Sequence, residues 1–121
     1  MPEDAEDFTG DIPLIERINL LAYADFFIGV GTGLSWVAWS LNIPVLMISG
    51  ITHSWYEFDT PYRVSNNLVC QGCFNDLRVD LAECYNCKRY ANSERQFECS
   101  KKISPNRVLQ MIDRLIADLH K

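Results

Sequence analysis

The sequence predicts an α/β fold: part of a Rossmann-like unit with an inserted cysteine-rich finger and a C-terminal helix. Three observations predict it. Two short apolar runs rich in strand formers, 25–30 and 44–49, flank a glycine turn and an apolar helical stretch. All five cysteines fall between 70 and 99. Residues 104–121 repeat apolar side chains at helical spacing.

Residues 1–10 are acidic, contain Gly10 and Pro2, and read as a loose arm. Asp11 is placed to cap a helix with Pro13 in its first turn. Leu14, Ile15, Ile18, Leu21 and Ala22 then form an apolar face at helical spacing. Asp25-Phe26-Phe27-Ile28-Gly29-Val30 is apolar on both faces, which suits a buried parallel strand. After the turn, Leu34, Trp36, Val37, Ala38, Trp39 and Leu41 predict a short buried helix that Asn42 and Pro44 end. Val45-Leu46-Met47-Ile48-Ser49 is the second strand, closed by Gly50. Strand, turn, helix and strand make a βαβ unit whose crossover is expected to be right-handed. Residues 51–66 read as a polar, aromatic loop, and loops of that length are often functional. Ser104 is the expected N-cap of the last helix and Pro105 its first residue. Val108, Met111, Ile112, Leu115, Ile116 and Leu119 make its expected core face. The chain thus divides into an arm (1–10), a βαβ part (11–69), a finger (70–103) and a terminal helix (104–121) within one domain.

With 121 residues, 48% of them hydrophobic, the chain suffices for one compact core. Its net charge of −5 argues against a nucleic-acid binder, which needs a basic surface to displace counterions from phosphates. No apolar stretch is long enough to span a membrane. Nothing in residues 1–30 marks the chain for export, so a cytoplasmic location is expected.

Gly31-Thr32-Gly33 lies where a strand meets a helix. Glycines there let a ligand approach the backbone, and the helix start offers unpaired N–H groups and a partial positive charge. The arrangement suits a diphosphate, with the Thr32 and Ser35 hydroxyls as further donors. A plain tight turn is the competing reading, because the motif is neither a dinucleotide fingerprint nor a Walker loop. In the following loop Arg63 is a candidate phosphate partner, and Tyr62 or Trp55 could stack on a base.

Cys70-x-x-Cys73 and Cys84-x-x-Cys87 have the spacing that aims two sulfurs at one point, and two such pairs complete a tetrahedron. On spacing alone these four are the ligands, and Cys99 is left over. A disulfide framework is the alternative, but it needs an oxidising compartment.

The glycine-turn region through Leu34-Ser-Trp-Val-Ala-Trp39, then Pro44 to Gly50, resembles the bacterial autotransporter heptosyltransferases. The likeness continues through Glu57-Phe58, Pro61-Tyr-Arg-Val64, Cys70-Gln-Gly-Cys-Phe-Asn-Asp76, Cys87-Lys-Arg89, Arg95-Gln-Phe-Glu-Cys99 and Ile103-Ser-Pro105. It runs in order from about Ile12 to the C-terminus. The resemblance implies a GT-B fold, of which this chain would be the C-terminal, nucleotide-binding portion. It implies an ADP-heptose donor, the serines of an autotransporter adhesin as acceptor, and a homo-oligomeric enzyme. It also implies one iron ion on four cysteines, with zinc the alternative metal. Carried over residue by residue, the ligands become Cys70, Cys73, Cys87 and Cys99, and Cys84 becomes the extra thiol, against the spacing argument. Gly31, Thr32, Gly33, Leu34 and Ser35 become the donor-site turn. The ADP-heptose transferases of lipopolysaccharide synthesis carry Asp-Thr-Gly-Leu-x-His at this turn. Here Gly31 and Trp36 replace the Asp and the His, so a contact from that His does not carry over.

The family enzymes are longer, and the catalytic base for glycosyl transfer is expected outside this segment. His53, Glu57 and Asp59 are the local candidates, although a loop histidine and two solvated carboxylates is the plainer reading. Four protein ligands would leave the metal no open position, so its expected role is structural. Two other functions compete: a non-catalytic metal-stabilised interaction module, and a rubredoxin-like electron carrier.

Overall fold

The computed structural model describes residues 2–80 and 86–121. Cys84, the extra thiol of the sequence analysis, lies outside the described residues. The element order is α1 (Leu14–Leu21), β1 (Phe27–Gly29), α2 (Gly33–Ser40), β2 (Val45–Ile48), β3 (Tyr62–Val64), α3 (Glu98–Lys101) and α4 (Pro105–Leu119), with 3₁₀ turns at Ser54–Tyr56 and Cys73–Asn75.

The three strands form a parallel sheet in the order β1-β2-β3. Phe27 pairs with Val45, and Leu46 with Tyr62. The central strand explains its own composition. Val45 and Met47 join Ala38, Ile43 and Phe58 in one core cluster, on the α2 side. Leu46 joins Val64 and Leu115 in a second cluster, with Val108, Met111 and Ile112 of α4 packed against it. Successive side chains of a strand point to opposite faces, so helices on both faces require an unbroken apolar run.

Several expectations change. The stretch 51–66 is not all loop: it contains a 3₁₀ turn and the third strand. Asp11 does not cap α1. Pro13 occupies the cap position, without a side-chain cap. The apolar face of α1 buries no residue, and Leu14 and Ile15 are each 63% exposed. The reason is positional: α2 and α4 already cover the two faces of the sheet, and α1 leans only on the margin of α2. Helix α2 is not fully buried, since only Ser35 and Ala38 are enclosed. In α4 the N-cap is as expected, with Ser104 Oγ accepting from the Arg107 N–H at 3.4 Å. Ile116 and Leu119 turn to solvent instead of joining the core. The arm is exposed but tethered: Arg17 donates to the Phe8 and Gly10 carbonyls at 2.8 and 3.0 Å. Among the described residues, no helix is long and apolar enough to cross a membrane.

Candidate functional site

Strands β1 and β2 end side by side, and the chain leaves both in loops that enclose a pocket of about 330 Å³. Ligands of parallel α/β sheets bind beyond the carboxyl ends of the strands, and this pocket stands there. Gly31 and Thr32 line it from the β1 side, Ser49 to Thr52 and Glu57 from the β2 side, with Trp36, Tyr56 and Phe74 as aromatic walls.

The turn is held by its own hydroxyl. Ser35, fully buried, accepts from the Thr32 N–H at 3.0 Å and donates to the Val30 carbonyl at 2.6 Å. It closes a capping box and is not available as a donor to a ligand. Gly33 and Leu34 are the first two residues of α2, so their N–H groups have no acceptor inside the helix. The Leu34 side chain faces a different groove, beside α1 and the arm.

Glu57 is neither solvated nor free. Its side chain is 2% exposed. One carboxylate oxygen accepts from Ser49 Oγ at 3.0 Å and from Thr52 Oγ1. The other accepts from Arg63 at 2.9 Å, and Arg63 also donates to the Phe58 carbonyl at 2.9 Å. Arg63 is therefore engaged behind the pocket wall, apart from Gly31 and Thr32. A Cβ at Gly31 would stand 3.3 Å from the Glu57 carboxyl carbon, so the glycine lets turn and carboxylate meet. Asp59 borders a separate hollow, near Trp39 and Pro44. Trp55 stacks on His53, with ring centroids 5.8 Å apart. Tyr62 donates to Asp118 at 2.9 Å and so joins β3 to α4.

A second, smaller cavity of about 20 Å³ lies behind Gly50. Cys70, Cys73, Cys87 and Cys99 all line it. These four are free thiols. Burial pushes the Cys73 thiol up, and the neighbouring charges of Cys99, Cys70 and Cys87 add to it against the opposing Arg89. A bound cation relieves this crowding, because metal ligation requires thiolates. The volume has room for one ion-sized occupant. The donor chemistry of four thiols around one small cavity suits a single metal ion, but among the described residues no three His, Cys, Asp or Glu side chains are grouped closely enough to hold one.

Two ion pairs that residue spacing did not single out clamp this cluster. Arg89 donates to Asp76 at 2.8 Å and to the Gln71 carbonyl at 2.7 Å, and it lies 3.4 Å from the Cys70 sulfur. Glu98 accepts from the Cys70 N–H at 2.9 Å and from Arg95 at 2.7 Å. Arg95 also lies over the Tyr90 ring, 3.8 Å from its centroid. Each of these charges stands close in sequence to a cysteine, which is the signal that could have found them.

No family model matches the chain. Among curated proteins it is 49% identical to the autotransporter heptosyltransferase BAHTCr of Citrobacter rodentium, over all of this chain and 30% of that protein. It is 48% identical to the autotransporter heptosyltransferase TibC of Escherichia coli O78:H11, over 95% of this chain and 29% of TibC. It is 44% identical to the inactive autotransporter heptosyltransferase BimC of Burkholderia thailandensis, over 84% of this chain and 25% of BimC. The structure of TibC, described as an iron-containing dodecameric glycosyltransferase, superposes with a TM-score of 0.89 at 46% identity, over 98% of this chain and 32% of TibC. TibC has also been solved in complex with ADP-D-β-D-heptose, again with a TM-score of 0.89. By sequence and by fold the chain is similar to the autotransporter heptosyltransferases, of whose length it spans about three-tenths.

Proposed function

We propose that this chain is the donor-binding part of a GT-B protein O-heptosyltransferase, taking ADP-heptose in the pocket at the glycine turn. The observation that carries the reading is the turn itself. An unpaired helix start, two glycines and a 330 Å³ pocket meet at the ends of parallel strands, in a backbone shared with a protein solved with that nucleotide sugar. The N–H groups of Gly33 and Leu34 hold the diphosphate, Gly31 and Thr32 admit it to the backbone, and Ser35 keeps the turn in shape. Glu57, neutralised by Arg63, keeps the opposite wall in place. Trp36, Tyr56 and Phe74 offer apolar faces to the base or the sugar. The catalytic base is not assigned to any residue of this chain.

On the same reading Cys70, Cys73, Cys87 and Cys99 hold one iron, which when bound supplies a structural crosslink rather than a reacting centre. Zinc is the alternative. The acceptor is a serine of an autotransporter adhesin, modified in the cytoplasm by a homo-oligomer. TibC is described as dodecameric, which supports the last point.

The test is calorimetric titration of the chain, purified without chelators, with ADP-heptose and with ADP. Saturable binding of both, with about one iron per chain by elemental analysis, is expected. Iron without nucleotide binding favours the second reading, a non-catalytic metal-stabilised module. BimC, a relative described as inactive, favours keeping that reading open.

A further inference from the structure

The loop 49–57 has two working faces. On one, Ser49, Thr52 and Glu57 form the β2-side wall of the nucleotide pocket. On the other, the loop carries the first cysteine knuckle. The Gly50 carbonyl accepts from the Gly72 N–H at 2.9 Å, and the Ile51 carbonyl from the Phe74 N–H at 3.0 Å. The His53 N–H donates to the Asn75 side-chain oxygen at 2.8 Å. Gly50 lines both cavities.

The fit between loop and cluster leaves no slack. A Cβ at Gly50 would stand 3.0 Å from both the Cβ and the carbonyl oxygen of Cys99. The His53 ring lies where a Cβ on Gly72 would be, and Gly72 has a φ of +73° that favours glycine. One stretch of backbone is thus the wall of one site and the floor of the other. It cannot shift toward either without being felt at both.

We propose that occupancy of the cysteine cluster by metal and occupancy of the glycine-turn pocket by nucleotide are positively coupled through loop 49–57, with Gly50 and Asn75 as positioning residues. This rests on the reading of those two sites given above. Without a metal no bond ties Cys70 and Cys73 to Cys87 and Cys99 across the 20 Å³ cavity, and the knuckle is free to shift. Three hydrogen bonds carry that displacement to the backbone of Gly50, Ile51 and His53, and from there to Thr52 and Glu57. A metal-bound cluster holds the wall in the form that receives the ligand. Coupling between two binding equilibria is reciprocal, so nucleotide must tighten metal retention by the same factor.

The experiment compares ADP affinity of the iron-loaded and metal-free chain by calorimetry, and iron affinity against a competing chelator with and without saturating ADP. A factor of roughly five or more, equal in the two directions, is expected. Equal ADP affinity with and without iron overturns the coupling. Absence of ADP binding to the iron-loaded chain overturns the donor-site reading, and the coupling with it. Should the metal-free chain fail to fold, Asn75→Ala decides, since it keeps all four cysteines and removes only the tie to His53. In the iron-loaded state this variant is expected to bind ADP several-fold more weakly. Unchanged ADP affinity in it overturns the proposal.

Discussion

A buried carboxylate beside a glycine turn proposed to receive phosphate needs a reason to be there. Glu57 has one: with its side chain 2% exposed and that of Arg63 17% exposed, the two neutralise each other across the end of the sheet. Glu57→Ala leaves Arg63 without a counter-charge. It should cost about 3 kcal/mol, as breaking a mostly buried pair does, read from urea unfolding. Gly31→Ala tests the other side of the same contact. Its new methyl would press on the Glu57 carboxyl carbon at 3.3 Å, so ADP binding should weaken while the fold persists. At this scale the glycines were legible because only a few residue types suit a turn. The role of Glu57 was not, because nothing local tells a solvated carboxylate from one whose partner arrives on β3.

Elements were legible where their pattern is long. Helix α4 has fifteen residues, a Ser cap and a proline start, and its start could be read. Ser104→Ala should lower stability by about 1 kcal/mol in the same assay. Strand β3 has three residues, too few for any periodicity, and its neighbours are polar, so it read as loop. Its anchoring has a pH signature. The Tyr62 hydroxyl and then Lys121 hold the Asp118 carboxyl below its ordinary 3.8. The hydrogen bond to Asp118 holds the Tyr62 phenol above its ordinary 10.0. A lowered carboxyl contributes stability above its unfolded value and loses it as the pH falls. A raised phenol contributes below its unfolded value and loses it as the pH rises. The contribution should therefore be flat between the two ordinary values and decline outside them. In Tyr62→Phe the alkaline decline should vanish from the urea midpoint, and the acid decline should shrink to the part that Lys121 maintains.

Over the whole molecule, the parallel α/β arrangement was legible from two apolar runs around a glycine turn and a helical stretch, but the burial on both faces expected of 25–30 belongs to β2: Ile28 of β1 is 41% exposed, whereas Val45, Leu46 and Met47 are buried. What each helix covers was not legible, because α1 carries an apolar face and still finds no place on the sheet. The clustering of the cysteines was legible, but not the architecture around them: the Arg89–Asp76 clamp joins residues thirteen apart, and the i,i+3 pair Arg95–Glu98 gains its role only from the Cys70 N–H that Glu98 also accepts. Removing the proposed iron should lower the thermal midpoint and open the stretch 70–99 to protease before the sheet, checked by mass spectrometry of the first cuts. The aromatic side chains around the pocket at the glycine turn have a consequence of another kind. Trp36 lines that pocket and is 43% exposed, and it meets Trp39 and Phe58 edge-on, with centroids 5.9 and 5.1 Å away. The third tryptophan, Trp55, is more exposed and stacked on His53. Of the three tryptophans only Trp36 lines the pocket, and on the proposed reading an adenine ring seated against it would quench its emission. The chain carries its own optical reporter of occupancy, and Trp36→Phe should remove most of that signal while leaving the emission of Trp55 in place.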